Sequence, residues 1–247
     1  MKVIKLGGSL LDDARRRTAA LRSIAKAWKS GQSVVLVHGG GKNVDAALAK
    51  IGIAKKTHAG LRITDDATLE VVVQVLAGSV NKSIVSELAS MGIRAAGISG
   101  SDAATLVAEH HPPIDGVELG HVGRVVSSDS TLIKAMLAAG ILPVISSVAQ
   151  GPHGTLLNVN ADSAAAAIAT GLGAKHLQFI TDVAGLLDGS GAVVRSLTVS
   201  DAKAFLASEV VSGGMRPKLQ AALGALEAGV QSIAIGTEKG GTHLVAA

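Results

Sequence analysis

The sequence predicts an α/β fold: a three-layer αβα sandwich around a mainly parallel, open sheet. Three observations carry this. Short apolar runs such as Val34-Val35-Leu36-Val37 show no polar alternation, as expected of strands covered on both faces. These runs alternate with segments of helical period along the whole chain, the pattern of repeated β-α units. The 30 glycines gather at the ends of the runs, where such a chain must turn.

Val3 to Leu6 reads as the first strand, broken by Gly7-Gly8. Leu21, Ile24, Ala25 and Trp28 follow i, i+3, i+4, i+7, so 14–29 reads as an amphipathic helix ended by Gly31. The strand 34–37 runs into His38-Gly39-Gly40-Gly41 and a short helix marked by Val44, Leu48 and Ile51. Residues 53–65 are irregular. One long helix spans Leu69 to Leu88, and 95–98 is a strand. From 106 to 126 short strands and turns suggest hairpins covering one edge of the sheet. A helix around Leu132 to Ala139 and a strand 142–145 follow. Asn158-Val159-Asn160-Ala161-Asp162 opens an alanine-rich helix. Strand 177–180 leads to Thr181-Asp182-Val183-Ala184-Gly185, then a small strand at 193–195 and a helix at 200–208. Gly213-Gly214-Met215-Arg216-Pro217-Lys218 starts the last helix, and strands 232–235 and 242–245 close the chain.

The totals narrow the function. Hydrophobic residues make up 48% of 247 and aromatics 1%, so the core is aliphatic. This length suits one large domain or two lobes sharing a sheet. The chain reads as a single domain over 1–247, with an N-terminal lobe to about residue 150 and a C-terminal lobe from about 151. The net charge of +4 is scattered, and Arg15-Arg16-Arg17, its densest run, reads as a solvated helix face. With two Phe, one Trp and no Tyr, single-stranded nucleic acid has little to stack on. Cysteine is absent, which excludes disulfides and thiolate metal sites and fits the cytoplasm. No uninterrupted apolar run approaches the ~20 residues of a membrane span. The N-terminus lacks the layout of a signal peptide.

The first ten residues carry the leading functional signal. A strand bearing Lys5 near its tip, then a glycine turn and a helix, make an anion site: backbone N–H groups approach closely and the helix adds its positive end. Two common phosphate motifs fail. For a Walker A loop, Leu36 stands where the first Gly should be and Asn43 replaces Ser/Thr. For the Rossmann fingerprint, Val44 stands at the third Gly. Singly, each remaining residue has an ordinary reading: Lys5 a strand-end lysine, Asp162 a charge at a helix start, Arg62 a loop arginine, Lys218 a solvated helix position. His38, His58 and His121 lack metal-ligand spacing and read as structural; no protein-held metal is expected.

The order of the motifs is more specific. Lys5-Leu6-Gly7-Gly8-Ser9, His38-Gly39-Gly40-Gly41, Gly60-Leu61-Arg62-Ile63-Thr64, Leu119-Gly120-His121-Val122-Gly123, Asn158 to Asp162 and Met215 to Lys218 occur in turn. This resembles the amino acid kinase superfamily, and within it the acetylglutamate kinases of arginine biosynthesis, over nearly the whole chain. The resemblance implies the amino acid kinase fold. It also implies transfer of the ATP γ-phosphoryl group to the γ-carboxylate of N-acetyl-L-glutamate, with Mg²⁺ on the nucleotide. It implies that Lys5 and Lys218 flank the transferred group and that Asp162 holds both. Gly40 and Gly41, with Arg62, Asn158 and Asn160, would bind the acylglutamate. Gly7, Gly8 and Ser9, with Thr181, Asp182, Gly185, Val211, Ser212 and Met215, would bind ATP.

Two departures shape further expectations. The chain begins about at the first strand, without the extra N-terminal helix with which arginine-inhibited relatives form rings. A homodimer insensitive to arginine is therefore expected, with the helix 69–88 as its interface. The ending Ile235 to Thr242 is short, as in relatives thought to act on N-succinylglutamate. An N-succinyl-L-glutamate kinase, a carrier-protein-linked aminoadipate or glutamate kinase, and a non-catalytic nucleotide or amino-acid sensor stand as alternatives. A sensor has no use for charge aimed at a transition state.

Overall fold

The structure is a computed structural model that describes residues 1–208, 210–211, 213–237 and 240–245. Its strands are β1 (Lys2–Leu6), β2 (Val34–His38), β3 (Thr57–His58), β4 (Leu61–Arg62), β5 (Ala95–Ser99), β6 (Val107–His110), β7 (Val122–Ser127), β8 (Leu142–Ser146), β9 (Val148–Gln150), β10 (Leu156–Val159), β11 (His176–Ile180), β12 (Ser196–Leu197), β13 (Ser232–Thr237) and β14 (Gly240–Val245). Its helices are α1 (Gly8–Asp12), α2 (Ala14–Lys29), α3 (Gly41–Lys50), α4 (Asp66–Val73), α5 (Asn81–Ser90), α6 (Thr131–Ala138), α7 (Ala161–Gly171), α8 (Val199–Ala207) and α9 (Met215–Glu227).

The main sheet runs β12-β14-β13-β11-β1-β2-β8-β5. Only β13 and β14 pair antiparallel within it. Alternate residues of the central strands feed two cores. Val3, Val35, Val37 and Ile145 meet α7 and α9 on one face. Ile4, Leu6, Leu36 and Val144 meet α2, α3 and α5 on the other. This is the three-layer sandwich, and it explains why the strands lack polar alternation.

Four details differ from the sequence reading. The segment 106–126 does not cap a sheet edge: β6 and β7 join β9 and β10 in a separate closed barrel, which the parallel β10–β7 pairing needs residues 156–159 to complete. The small strand falls at Ser196–Leu197, where β14 offers a partner, rather than at 193–195. The helix after the first glycine turn is only five residues long before Asp13 starts α2, so it adds little dipole there. Arg17 is not a purely solvated residue: its Nε donates to Glu87 at 2.8 Å, tying α2 to α5.

The long helix begins at Asp66, and Gln74–Val80 between α4 and α5 is π-helical. The run Asp66–Ser90 is long and apolar enough, by composition, to cross a membrane. Here Val72, Leu76, Ile84 and Leu88 are buried in the core, so it is a core helix.

Candidate active site

Lys5 lies on β1 with its side chain on the α7 face, the same face as Val3. The chain leaves β10 and enters α7 through Asn160, whose Oδ1 accepts from the backbone N–H groups of Asp162 (2.8 Å) and Ser163 (3.2 Å). That N-cap fixes Asp162 in the first turn. One oxygen of Asp162 meets Lys5 Nζ at 2.8 Å, and the other accepts from Lys218 Nζ at 2.8 Å. All three residues are less than a tenth exposed. Burial pushes the Asp162 carboxyl up, but the ammonium groups of Lys5 and Lys218 outweigh it and hold the pKa below the usual value. Lys218 is held below the usual lysine value by burial and by the charge of Lys5, against the pull of Asp162 and Asp182. It also sits in the first turn of α9, the end that repels a cation. Two buried lysines on one carboxylate leave a net positive charge, so the cluster is built to meet an anion.

A cavity of about 380 Å³ opens beside Lys5 and Asp162. Gly8, Gly40 and Gly41 line it, with Arg62, Asn158 and Asn160. The two glycine turns face each other: a Cβ on Gly8 would stand 3.5 Å from Gly41 N and 3.8 Å from Gly40 N. Gly40 has φ of 157° and Leu76 close by, 2.9 Å from where its Cβ would be, so a side chain there meets both strain and a clash. Arg62 Nη2 donates to the Gly41 carbonyl at 3.0 Å and pairs with Asp45, while its Nη1 is buried without a partner. A second cation, Lys55, meets Asp45 at 2.9 Å. Burial raises the Asp45 carboxyl, but the bonds from Lys55 and Arg62 bring it below normal. Asn158 Nδ2 donates to Thr64 Oγ1 at 3.1 Å. Thr64 is held in turn by Leu119 and His121 through backbone bonds of 3.0 and 2.7 Å, which is the structural use of the 119–123 motif. Asn160 spends its oxygen on the helix cap and also lines the cavity. Asp45 escaped the sequence reading; its position four residues into the helix that starts at Gly41 was the available signal.

The other side of the cluster is assembled differently. Gly7 N–H donates to the Ile180 carbonyl at 2.8 Å, so it is committed to backbone rather than to a phosphate. A Cβ on Gly7 would stand 3.0 Å from that carbonyl, so a side chain there would have to push the β11 backbone aside by a few tenths of an ångström. Gly8 and Ser9 start α1. Thr181 follows β11, donates its N–H to Gly236 and its hydroxyl to Asp182 at 3.0 Å. Gly185 has φ of 148° and packs on Thr242. Val211 is buried in the core, leaving only its backbone for a ligand. Met215 opens α9, and Ser212 lies outside the described residues. None of these second-side residues lines the cavity beside Asp162 except Gly8.

Residues 1–237 match the amino acid kinase family. The chain belongs to the amino acid kinase family. Among curated relatives in that family, the acetylglutamate kinase of Rhizobium leguminosarum bv. trifolii (strain WSM2304) is 41% identical over 242 residues, 94% of this chain and 82% of that protein. Among solved structures, smu.665 from Streptococcus mutans UA159 superposes with a TM-score of 0.88 at 27% identity, covering 99% of this chain and 98% of that one. The N-acetylglutamate synthase of Neisseria gonorrhoeae, complexed with coenzyme A and N-acetyl-glutamate, has a TM-score of 0.86 at 22% identity over 99% of this chain and 59% of its own. That last likeness speaks for the family's fold alone.

Proposed function

We propose that this chain is an N-acetyl-L-glutamate 5-kinase, which transfers the γ-phosphoryl group of ATP to the γ-carboxylate of N-acetyl-L-glutamate in arginine biosynthesis. The observation that carries this reading is the Lys5–Asp162–Lys218 bridge, two of whose members line a cavity that Arg62, with a buried, unpartnered Nη1, lines as well. The 41% identity to acetylglutamate kinases supports the choice of acceptor.

In this mechanism Arg62 and Asn158 hold the α-carboxylate, and Gly40 and Gly41 orient the γ-carboxylate. That carboxylate is already ionised at neutral pH, so no general base is needed. One of its oxygens attacks the γ-phosphorus as the bond to the β–γ bridging oxygen breaks, giving an acyl phosphate and ADP. The protein's task is alignment and charge. Lys5 and Lys218 stand on either side of the path, and Asp162 keeps two like charges close. The N-terminal lobe, to about residue 150, takes the acylglutamate, and the C-terminal lobe takes ATP through Thr181, Asp182, Gly185, Val211 and Met215. Among the described residues no cluster of three or more His, Asp or Glu is placed to hold a metal. Mg²⁺ would come with the nucleotide and would supply positive charge to its phosphates. The reading includes a cytoplasmic homodimer contacting along the helix from Leu69 to Leu88. Beside that helix, β5 forms the sheet edge with most of its residues half-buried, as an edge awaiting cover would be.

A coupled ADP-release assay with N-acetylglutamate, N-succinylglutamate, aspartate and carbamate tests the proposal. Turnover is expected to be fastest with N-acetylglutamate. Preference for the succinyl compound would move the acceptor, and silence with every acylglutamate would sink the reading.

A further inference from the structure

His38 ends β2 and directly precedes the glycine turn, yet it is fully buried and takes no part in the mechanism above. Its Nδ1 lies 2.9 Å from the carbonyl of Gly39, and its Nε2 lies 3.0 Å from Asn81 Nδ2. Asn81 is fully buried as well. Its Nδ2 also donates to the carbonyls of Val144 at 3.0 Å and Ile98 at 3.3 Å. Carbonyl oxygens only accept, so the Asn81 atom facing them is the NH₂ group. Its two hydrogens serve the two nearer contacts, Val144 O and His38 Nε2 at 3.0 Å each, with Ile98 O at 3.3 Å sharing one of them, so Nε2 accepts. The proton then resides on Nδ1 and donates to the Gly39 carbonyl. Burial, the larger effect, and the charge of Lys5 push the imidazole pKa down to about 4 against the pull of the Gly39 bond, so the ring is neutral when the enzyme works.

This bond has a geometric consequence one residue on. In a trans peptide the C=O and the following N–H point in opposite directions. Anchoring the Gly39 carbonyl on the His38 ring turns the Gly40 N–H away from that ring. The Gly40 nitrogen is one of the two that face Gly8. The π-helical turn supplies the rest. In an α-helix, residues five apart lie about 140° apart, so Leu76 and Asn81 would face different ways. The wider i→i+5 turn of Gln74–Val80 brings them toward one face. Leu76 then packs on Gly40 while Asn81 reaches His38. Asn81 fits only because position 97 is glycine: a Cβ there would fall 1.7 Å from its Oδ1. Isolated π turns cluster at functional sites.

We infer that His38 and Asn81 are positioning residues: Asn81 holds His38 in its Nδ1–H tautomer, and that tautomer aims the Gly40 N–H at the oxygens between which the phosphoryl group moves. The rate consequence rests on the kinase reading; the hydrogen-bond relay does not, so the two are tested separately.

Long-range ¹H–¹⁵N spectra of the histidine-labelled protein, with the His38 signals identified from their loss in His38→Asn, report the tautomer without any substrate. The Nδ1–H form is expected in the wild type, with Nε2–H in Asn81→Asp, which puts an acceptor opposite Nε2. An Nε2–H wild-type ring would overturn the relay whatever the enzyme phosphorylates. For rate, His38→Leu removes the donor, whereas His38→Asn returns an amide N–H to the δ position. With melting temperatures matched, kcat should fall about a hundredfold in His38→Leu, near the loss of one oriented donor, and recover at least tenfold in His38→Asn. Equal kcat in the two variants, or wild-type kcat in His38→Leu, would overturn the positioning role. Should Asn81→Asp fail to fold, the wild-type tautomer and the His38 pair still decide the question.

Discussion

The two sides of the Lys5–Asp162–Lys218 bridge are built on different principles. On the proposed acceptor side, Gly40, Gly41, Arg62 and Asn158 stand at strand ends and a helix start and converge on one cavity, with Arg62 bonded to Gly41 and Asn158 to Thr64. On the proposed nucleotide side, Thr181, Asp182 and Gly185 belong to an irregular segment between β11 and β12 that leaves Val183 and Leu187 more than a third exposed. The first side is preorganised; the second relies on loop backbone, the kind of segment that opens at little cost. Damage to a single acceptor-side residue should therefore be sharp and specific. Damage on the nucleotide side should be more diffuse.

The largest effects belong to the bridge that both sides share. Asp162→Asn should lower kcat by about a thousandfold or more, and should cost roughly 3 kcal/mol of stability by leaving two lysines buried without their carboxylate. Steady-state rates and thermal melts read these together. Lys218→Ala should lower kcat by about 100-fold or more with small changes in either KM, the mark of an interaction made in the transition state. A rise in ATP KM alone would move Lys218 out of the bridge's shared role and into simple nucleotide binding.

Next come substitutions that separate the sides. Arg62→Ala should raise the acylglutamate KM by about tenfold or more while kcat and ATP KM hold, since it removes binding common to ground and transition states. Gly185→Ala forces a side chain against Thr242, 2.7 Å from its Oγ1. It should raise ATP KM by only about two- to fivefold because the loop can yield. Similar acceptor-KM effects from both variants would dissolve the comparison.

The smallest effect is in acid. The Asp162 pKa lies below its usual 3.8 in the folded chain, so its contribution to stability is complete above that value and is lost as pH falls through the folded pKa. The melting temperatures of wild type and Asp162→Asn should differ fully near neutrality and converge below about pH 4. A constant gap would mean that Asp162 is not the charged partner of the two lysines.

Much of this site was legible in the sequence because its parts mark chain turns. Lys5, Gly40, Asn160 and Lys218 each adjoin a strand end or helix start, and glycines or a cap residue announce those places. What stayed hidden depends on residues distant in sequence. The barrel could not be read because β7 pairs with β10, and nothing in 122–127 names that partner. Gly7 looked like a phosphate donor until Ile180 proved to hold its N–H. Asn81 sits 43 positions from His38, in a helix whose apolar period hides the π turn. Asp45 went unread because only the fold brings Arg62 and Lys55 onto it.

The place of β1 in the sheet bears on how the molecule is made. It pairs with β2 on one edge and with β11 on the other, so its second edge waits for a strand about 170 residues downstream. Lys5 is synthesised well before Asp162, and Lys218 later still. At ribosomal speeds of ~5–20 residues per second, the interval from Lys5 to Lys218 is roughly 10–40 s. Through that time the nascent chain carries a lysine destined for burial and an unpaired apolar strand edge. The order of synthesis makes the Lys5–Asp162–Lys218 bridge a late feature to form, and leaves one edge of the growing β1–β2 pair uncovered until β11 is made.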